Sequence, residues 1–169
     1  MRMTIMTAAI LIVAASSTAA GGSGAPPAPS TQSATAALDP CVLLTKQDAA
    51  VAVGEAIGEP KPINPGRSSM PDMTVAACEY RSAAGHSVQL TVWRFSGASA
   101  AMSLQIYKSE CMKKEQLPGV GDLACWYNKD HRELQVLKGA TLLTYEINRG
   151  GNATEALTTV AKKALARLP

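Results

Sequence analysis

The sequence predicts a two-layer α+β domain: an antiparallel, five-stranded sheet covered by helices in the order α-ββ-α-βββ-α and stapled by disulfides. Three observations carry that expectation. Stretches rich in β-formers at residues 74–95 and 123–147 alternate apolar and polar side chains and are cut by short turn signals. Segments 99–112 and 152–168 instead place apolar residues at helical spacing. Four cysteines, Cys41, Cys78, Cys111 and Cys125, fall within the same stretch, an even number in a chain that opens on an export signal.

The opening residues set the expected compartment. Met1-Arg2 is a short positive start, Met3 to Ala15 is almost wholly apolar, and Ser16-Ser17-Thr18-Ala19-Ala20 supplies the small residues of a cleavage site. This is the pattern of a secretory signal over residues 1–20, too short in its apolar run to span a bilayer as a helix. Residues 21–37 are Gly, Ser, Pro, Ala, Thr and Gln without a large apolar side chain, so they cannot bury enough surface to offset the entropy of ordering and read as a tether. Residues 38–169 remain as one α+β domain, periplasmic or secreted, with no stable membrane anchor after cleavage. The formal charge is +3, and removing Arg2 lowers it by one; the remaining basic residues are scattered, which argues against nucleic acid as a partner. With two Trp, four Tyr and one Phe in the chain, the core must come mainly from aliphatic side chains.

Along the domain, Thr45 followed by Asp48 resembles a capping box and starts a small first helix that ends at Gly54 or Gly58. Gly58 to Met73 holds Pro60, Pro62, Pro65 and Pro71 and reads as a long loop. Thr74–Tyr80 and His86–Phe95 form a hairpin across Ser82-Ala83-Ala84-Gly85; Val88, Leu90 and Val92 take the core face, which puts Gln89, Thr91, Trp93 and Phe95 on the other. Ser99 to Met112 is an amphipathic helix with Leu104, Tyr107 and Cys111 on one stripe, and the loop Pro118-Gly119-Val120-Gly121 leads into a strand. Leu123–Tyr127, Glu133–Leu137 and Ala140–Ile147 follow as a meander. Asn152 caps a last helix whose apolar face is Leu157, Val160, Ala161, Ala164, Leu165 and Leu168.

Four cysteines allow three disulfide pairings. The helix that ends at Cys111 returns through a short loop to the strand bearing Cys125, and Cys41 and Cys78 flank the first helix and the loop after it, so local geometry leans to Cys41–Cys78 and Cys111–Cys125. No short chelating Cys pair is present and both histidines lie elsewhere, so no metal and no cofactor are expected.

No catalytic residue is expected either. His86 and His131 both fall in turns without an orienting partner, and Asp130 beside His131 reads as a solvated turn. No Gly-x-Ser-x-Gly, His-Glu-x-x-His, Walker or dinucleotide motif occurs. The candidate binding residues are Trp93, Phe95 and Trp126. An aromatic patch opposite the aliphatic face could meet a ligand or partner, whereas under a covering helix the same rings would be ordinary core.

Asp39-Pro40-Cys41-Val42-Leu43-Leu44-Thr45, Cys78-Glu79-Tyr80 and Pro118-Gly119-Val120-Gly121-Asp122 with Trp126 resemble a family of small exported or lipid-anchored bacterial proteins of unknown function. In these an Asp-x-Cys-x-Leu-Leu opening starts the first helix and a Cys-x-aromatic strand follows. The resemblance implies a Cys41–Cys78 bond and an extracytoplasmic α+β domain without a known catalytic centre. No cysteine follows the signal here, unlike in the lipid-anchored members. A looser likeness to disulfide-stapled extracellular sensor domains implies ligand binding by analogy of fold. The expectation is a non-catalytic envelope module that binds a small apolar ligand or an envelope protein through the Trp93–Phe95 face or the Gly58–Met73 loop. An envelope enzyme of unfamiliar mechanism, or a structural or stress-related envelope protein, is the alternative.

Overall fold

The computed structural model describes residues 38–63 and 72–169, so the expected signal, the tether and the middle of the Gly58–Met73 loop lie outside the described residues. The first helix is two helices. Asp39 caps α1 (Pro40–Leu43), its carboxylate accepting from the Cys41 N–H at 2.9 Å, with Pro40 at the favourable first position. Thr45 then starts α2 (Lys46–Val53), because a capping Thr needs extended backbone, and the chain is extended through Leu44 and Thr45 before it coils again. Its Oγ1 accepts from the Asp48 N–H at 3.2 Å and donates to the Asp48 carboxylate at 2.7 Å, and Gly54 ends α2 in the left-handed conformation.

The sheet has seven strands where five were expected. They are β1 (Lys61–Ile63), β2 (Met73–Arg81), β3 (Ser87–Phe95), β4 (Glu115–Gln116), β5 (Leu123–Trp126), β6 (Glu133–Lys138) and β7 (Thr141–Asn148). All pairings are antiparallel, in the order β1-β2-β3-β7-β6-β5-β4. The two additional strands are the edges. With three and two residues they are too short to show alternation, and Pro62 is tolerated because an edge strand need not donate on both sides. The expected hairpin and meander are joined through β3 and β7, which places the last strand at the centre.

Strand parity sorts the faces. Tyr80, Leu90, Leu143, Tyr145, Val136 and Trp126 belong to one buried cluster, closed by Leu43 and Leu44 of α1 and its exit, Ala49 and Ala52 of α2, and Leu157, Val160, Ala161 and Ala164 of α4 (Thr154–Leu165). Each large aliphatic side chain buried there contributes about 1.5–3 kcal/mol. α4 begins one residue later than expected: Ala153 is its cap residue, and the Asn152 side chain accepts from the Thr154 N–H at 2.7 Å.

The remaining helix, α3 (Ala100–Cys111), lies on the opposite face, so the helices do not all share one layer as a two-layer arrangement would require. The disulfide imposes this. Cys125 sits between Ala124 and Trp126, which face the core, so its side chain points to the other side and carries Cys111 with it. The bonds are Cys41–Cys78, with Cα atoms 5.2 Å apart, and Cys111–Cys125, 5.7 Å apart, the pairing towards which the sequence leaned. Two disulfides and no free cysteine among the described residues indicate an oxidising environment.

A polar knot locks the helices of the core layer together. Asp48, 3% exposed, accepts from Lys163 at 2.9 Å and pairs with Arg167 at 2.7 Å; Arg167 also donates to the Leu43 carbonyl at 2.7 Å. Burial by itself raises this carboxyl's pKa, but the hydrogen bonds from Lys163, Thr45 and Arg167, with the Arg167 charge, outweigh it and hold Asp48 below its ordinary value. Arg149 adds a second tie, donating to the Ala52 carbonyl at 2.6 Å and the Asn152 carbonyl at 2.7 Å.

Candidate functional site

The sheet face opposite the core is only partly covered by α3, and its side chains form three rows across the strands. The first row is Val75, Trp93, Leu142, Leu137 and Leu123, extended at one corner by Met73 and Phe95. Two residues further along each strand come Ala77, Thr91, Thr144, Gln135 and Cys125. Two further again come Glu79, Gln89, Glu146 and Glu133. This half-covered face therefore passes from apolar through hydroxyl and amide to acidic over about 13 Å, four residues of strand, with Leu137, Leu142, Thr91 and Thr144 buried and Glu146 exposed.

α3 turns the apolar end into a hollow. Of its side chains only Cys111 is fully buried; Tyr107 lies against the disulfide with its hydroxyl 3.6 Å from Cys111 Sγ, and Ile106 stands over the sheet, 60% exposed. Burial raises the Tyr107 pKa further above its ordinary value. Between Ile106 and Tyr107 on one side and Trp93, Phe95 and Leu142 on the other is a cavity of about 420 Å³. A second hollow of about 270 Å³, lined by Glu79, Gln89, Asn128 and Arg132, shares Glu133 and Glu146 with the first, so the two carboxylates wall both.

The electrostatics are concentrated at that junction. Glu133 and Glu146 are direct cross-strand partners. The next pair along donates from Ile147 N–H to the Arg132 carbonyl at 2.9 Å, so Glu133 and Glu146 occupy the narrow, non-hydrogen-bonded position, where Cα atoms are about 4.5 Å apart and side chains approach closely. Glu133 accepts from Gln135 at 2.9 Å. Its pKa is raised, first by burial and further by the Glu146 charge, against the opposing effects of Gln135 and Lys114.

Of the three candidate binding residues, the structure brings Trp93 and Phe95 into one hollow and leaves Trp126 out. Trp126 is 3% exposed on the core face and stacks on His131, with ring centroids 4.7 Å apart and planes inclined by 20°. The correction follows from parity, since Trp126 neighbours Cys125 in an extended strand and must point away from α3. Glu133, Gln135, Thr144 and Glu146 are wall residues that the sequence reading passed over. The alternation was visible in Glu133-x-Gln135 and Thr144-x-Glu146, but not the pairing that brings them together.

The histidines are engaged, and not as solvated turns. His86 Nδ1 lies 2.5 Å from the Glu55 carboxylate. His131, at φ 55°, places Nδ1 2.9 Å from Thr154 Oγ1 and Nε2 2.9 Å from Glu115, joining the start of α4, the β5–β6 turn and β4. Asp130 does not partner it but lies 3.4 Å from Arg132. Among the described residues, no three His, Cys, Asp or Glu side chains are grouped to hold a metal ion, and no helix is long and apolar enough to cross a membrane. Neither the family models nor the curated proteins compared with this chain match it.

Proposed function

We propose that this domain is a non-catalytic binding module of an extracytoplasmic compartment, periplasmic or secreted, which holds a small ligand on the half-covered sheet face. The single observation that carries the reading is the hollow of about 420 Å³ between α3 and the sheet, walled by Trp93, Phe95, Ile106, Tyr107 and Leu142. Its size falls within the range of ligand cavities, roughly 300–1,000 Å³, and its walls combine apolar rings with a few convergent polar groups. The two disulfides and the leader pattern support the compartment.

The test uses an uncharged apolar fluorophore, N-phenylnaphthylamine, titrated into the purified full chain. Saturable binding with one site per chain is expected, weakened at least ~10-fold by Trp93→Ala, because the ring supplies much of the apolar contact. Titration without saturation, or saturation that Trp93→Ala leaves unchanged, would overturn the proposal.

A further inference from the structure

We propose that the ligand class for this face is a small cationic amphiphile: an apolar tail in the Trp93–Phe95 hollow and an ammonium or guanidinium head against Glu133 and Glu146. The inference rests on the binding-module reading and specifies its chemistry. It starts from the order of the rows. A ligand whose tail lies beside Trp93 and Leu142 and which runs along the strands meets Thr144 and Gln135 and then the two carboxylates. The distance from first row to last, about 13 Å, is close to the reach of a ten-carbon chain with its head.

The carboxylate pair is the second argument. Like charges directly opposite each other in a sheet are destabilising, and the narrow pair position makes the approach closer. The surrounding cations relieve it only in part, Lys114 acting on Glu133 through its charge without pairing with it. Arg81 is on Glu79 at 2.5 Å, Arg132 is turned to Asp130 at 3.4 Å, and Lys114 lies over the Tyr127 ring at 4.6 Å. None of these three side chains forms an ion pair with Glu133 or Glu146. Yet this pair lines both the apolar hollow and the polar one beside it. A cationic head seated there satisfies both carboxylates while its tail fills the adjoining hollow. An anionic head in the same position would meet two like charges.

The experiment compares three decyl compounds of one tail length, decyltrimethylammonium, decanol and decyl sulfate, each below its micelle concentration, by calorimetric titration of the full chain at low salt. The cation is expected to bind at least ~10-fold tighter than the alcohol, and the sulfate more weakly than the alcohol. The double variant Glu133→Gln/Glu146→Gln should erase the cation's advantage while leaving decanol affinity and the thermal midpoint undiminished. Trp93→Ala should weaken all three. Equal binding of the three compounds, or a cation preference that survives the double variant, overturns the charge assignment but leaves the binding-module reading intact. Binding of none of them to the wild type, or indifference to Trp93→Ala, overturns the site itself.

Discussion

Asp48→Asn isolates the charge at the centre of the polar knot. The carboxylate is 3% exposed and receives Lys163 at 2.9 Å, Arg167 at 2.7 Å and the Thr45 hydroxyl at 2.7 Å. Hydrogen bonds to a buried charge are worth about 1.5–3 kcal/mol each. Lys163 and Arg167 are 47% and 33% exposed in their side chains, so water recovers part of that when the charge is lost, and each pair is discounted towards ~1 kcal/mol. With the weakened cap of α2, the expected loss is about 2 kcal/mol. At an m-value of about 2 kcal/mol per molar urea this moves the unfolding midpoint down by about 1 M. The dependence on pH separates the charge from mere packing. Because the folded pKa is depressed, the carboxylate's contribution is complete above its unfolded value of about 3.9 and is lost as pH falls through the folded value. Urea unfolding of both proteins should therefore show a constant gap between pH 7 and pH 5 and a shrinking one below about pH 3.9. A gap that stays the same down to pH 2, or no gap at pH 7, would refute the reasoning.

Gly121→Ala should lower stability by at least ~2 kcal/mol in thermal melts, since the residue has φ +64° and a Cβ there would lie 2.5 Å from the Leu137 carbonyl oxygen and 2.7 Å from Val136 Cγ1. Gly139→Ala, at φ +57° with open space around it, should lose only the backbone cost of about 1 kcal/mol, and equal losses at the two sites would contradict the steric account. Tyr145→Phe removes a fully buried hydroxyl that has no hydrogen-bond partner, so denaturant unfolding should show no loss or a small gain; a drop above ~1 kcal/mol would reveal a partner for that oxygen. Replacing Cys111 and Cys125 together by Ala opens a bond spanning 14 residues and should cost about 3 kcal/mol. Hydrogen exchange should then show α3 losing protection while β3 and β7 keep theirs; an α3 that stays protected would mean its packing alone holds the wall of the hollow.

Where one residue's neighbours along the chain decide its conformation, the sequence is enough. The Thr45-x-x-Asp48 cap, the hairpin of β2 and β3, the alternation that buries Val88, Leu90 and Val92, and the apolar stripe of α4 all depend on hydrogen-bond partners or periodicities within a few residues. Even the open position of Trp93 and Phe95 is a consequence of parity. What local pattern cannot carry is which strands meet. Two-residue β4 exists only because β5 offers it an edge, and β3 and β7 become neighbours across some fifty residues. The position of α3 follows from the parity of Cys125 together with a bond to Cys111, so it needed the pairing as well as the alternation. The acidic pair is the clearest case. Glu133 and Glu146 are two unremarkable strand residues in the sequence, and the register of β6 against β7, fixed by burial of Leu134, Val136, Leu143 and Tyr145 on the other face, sets their charges side by side at the mouth of an apolar hollow.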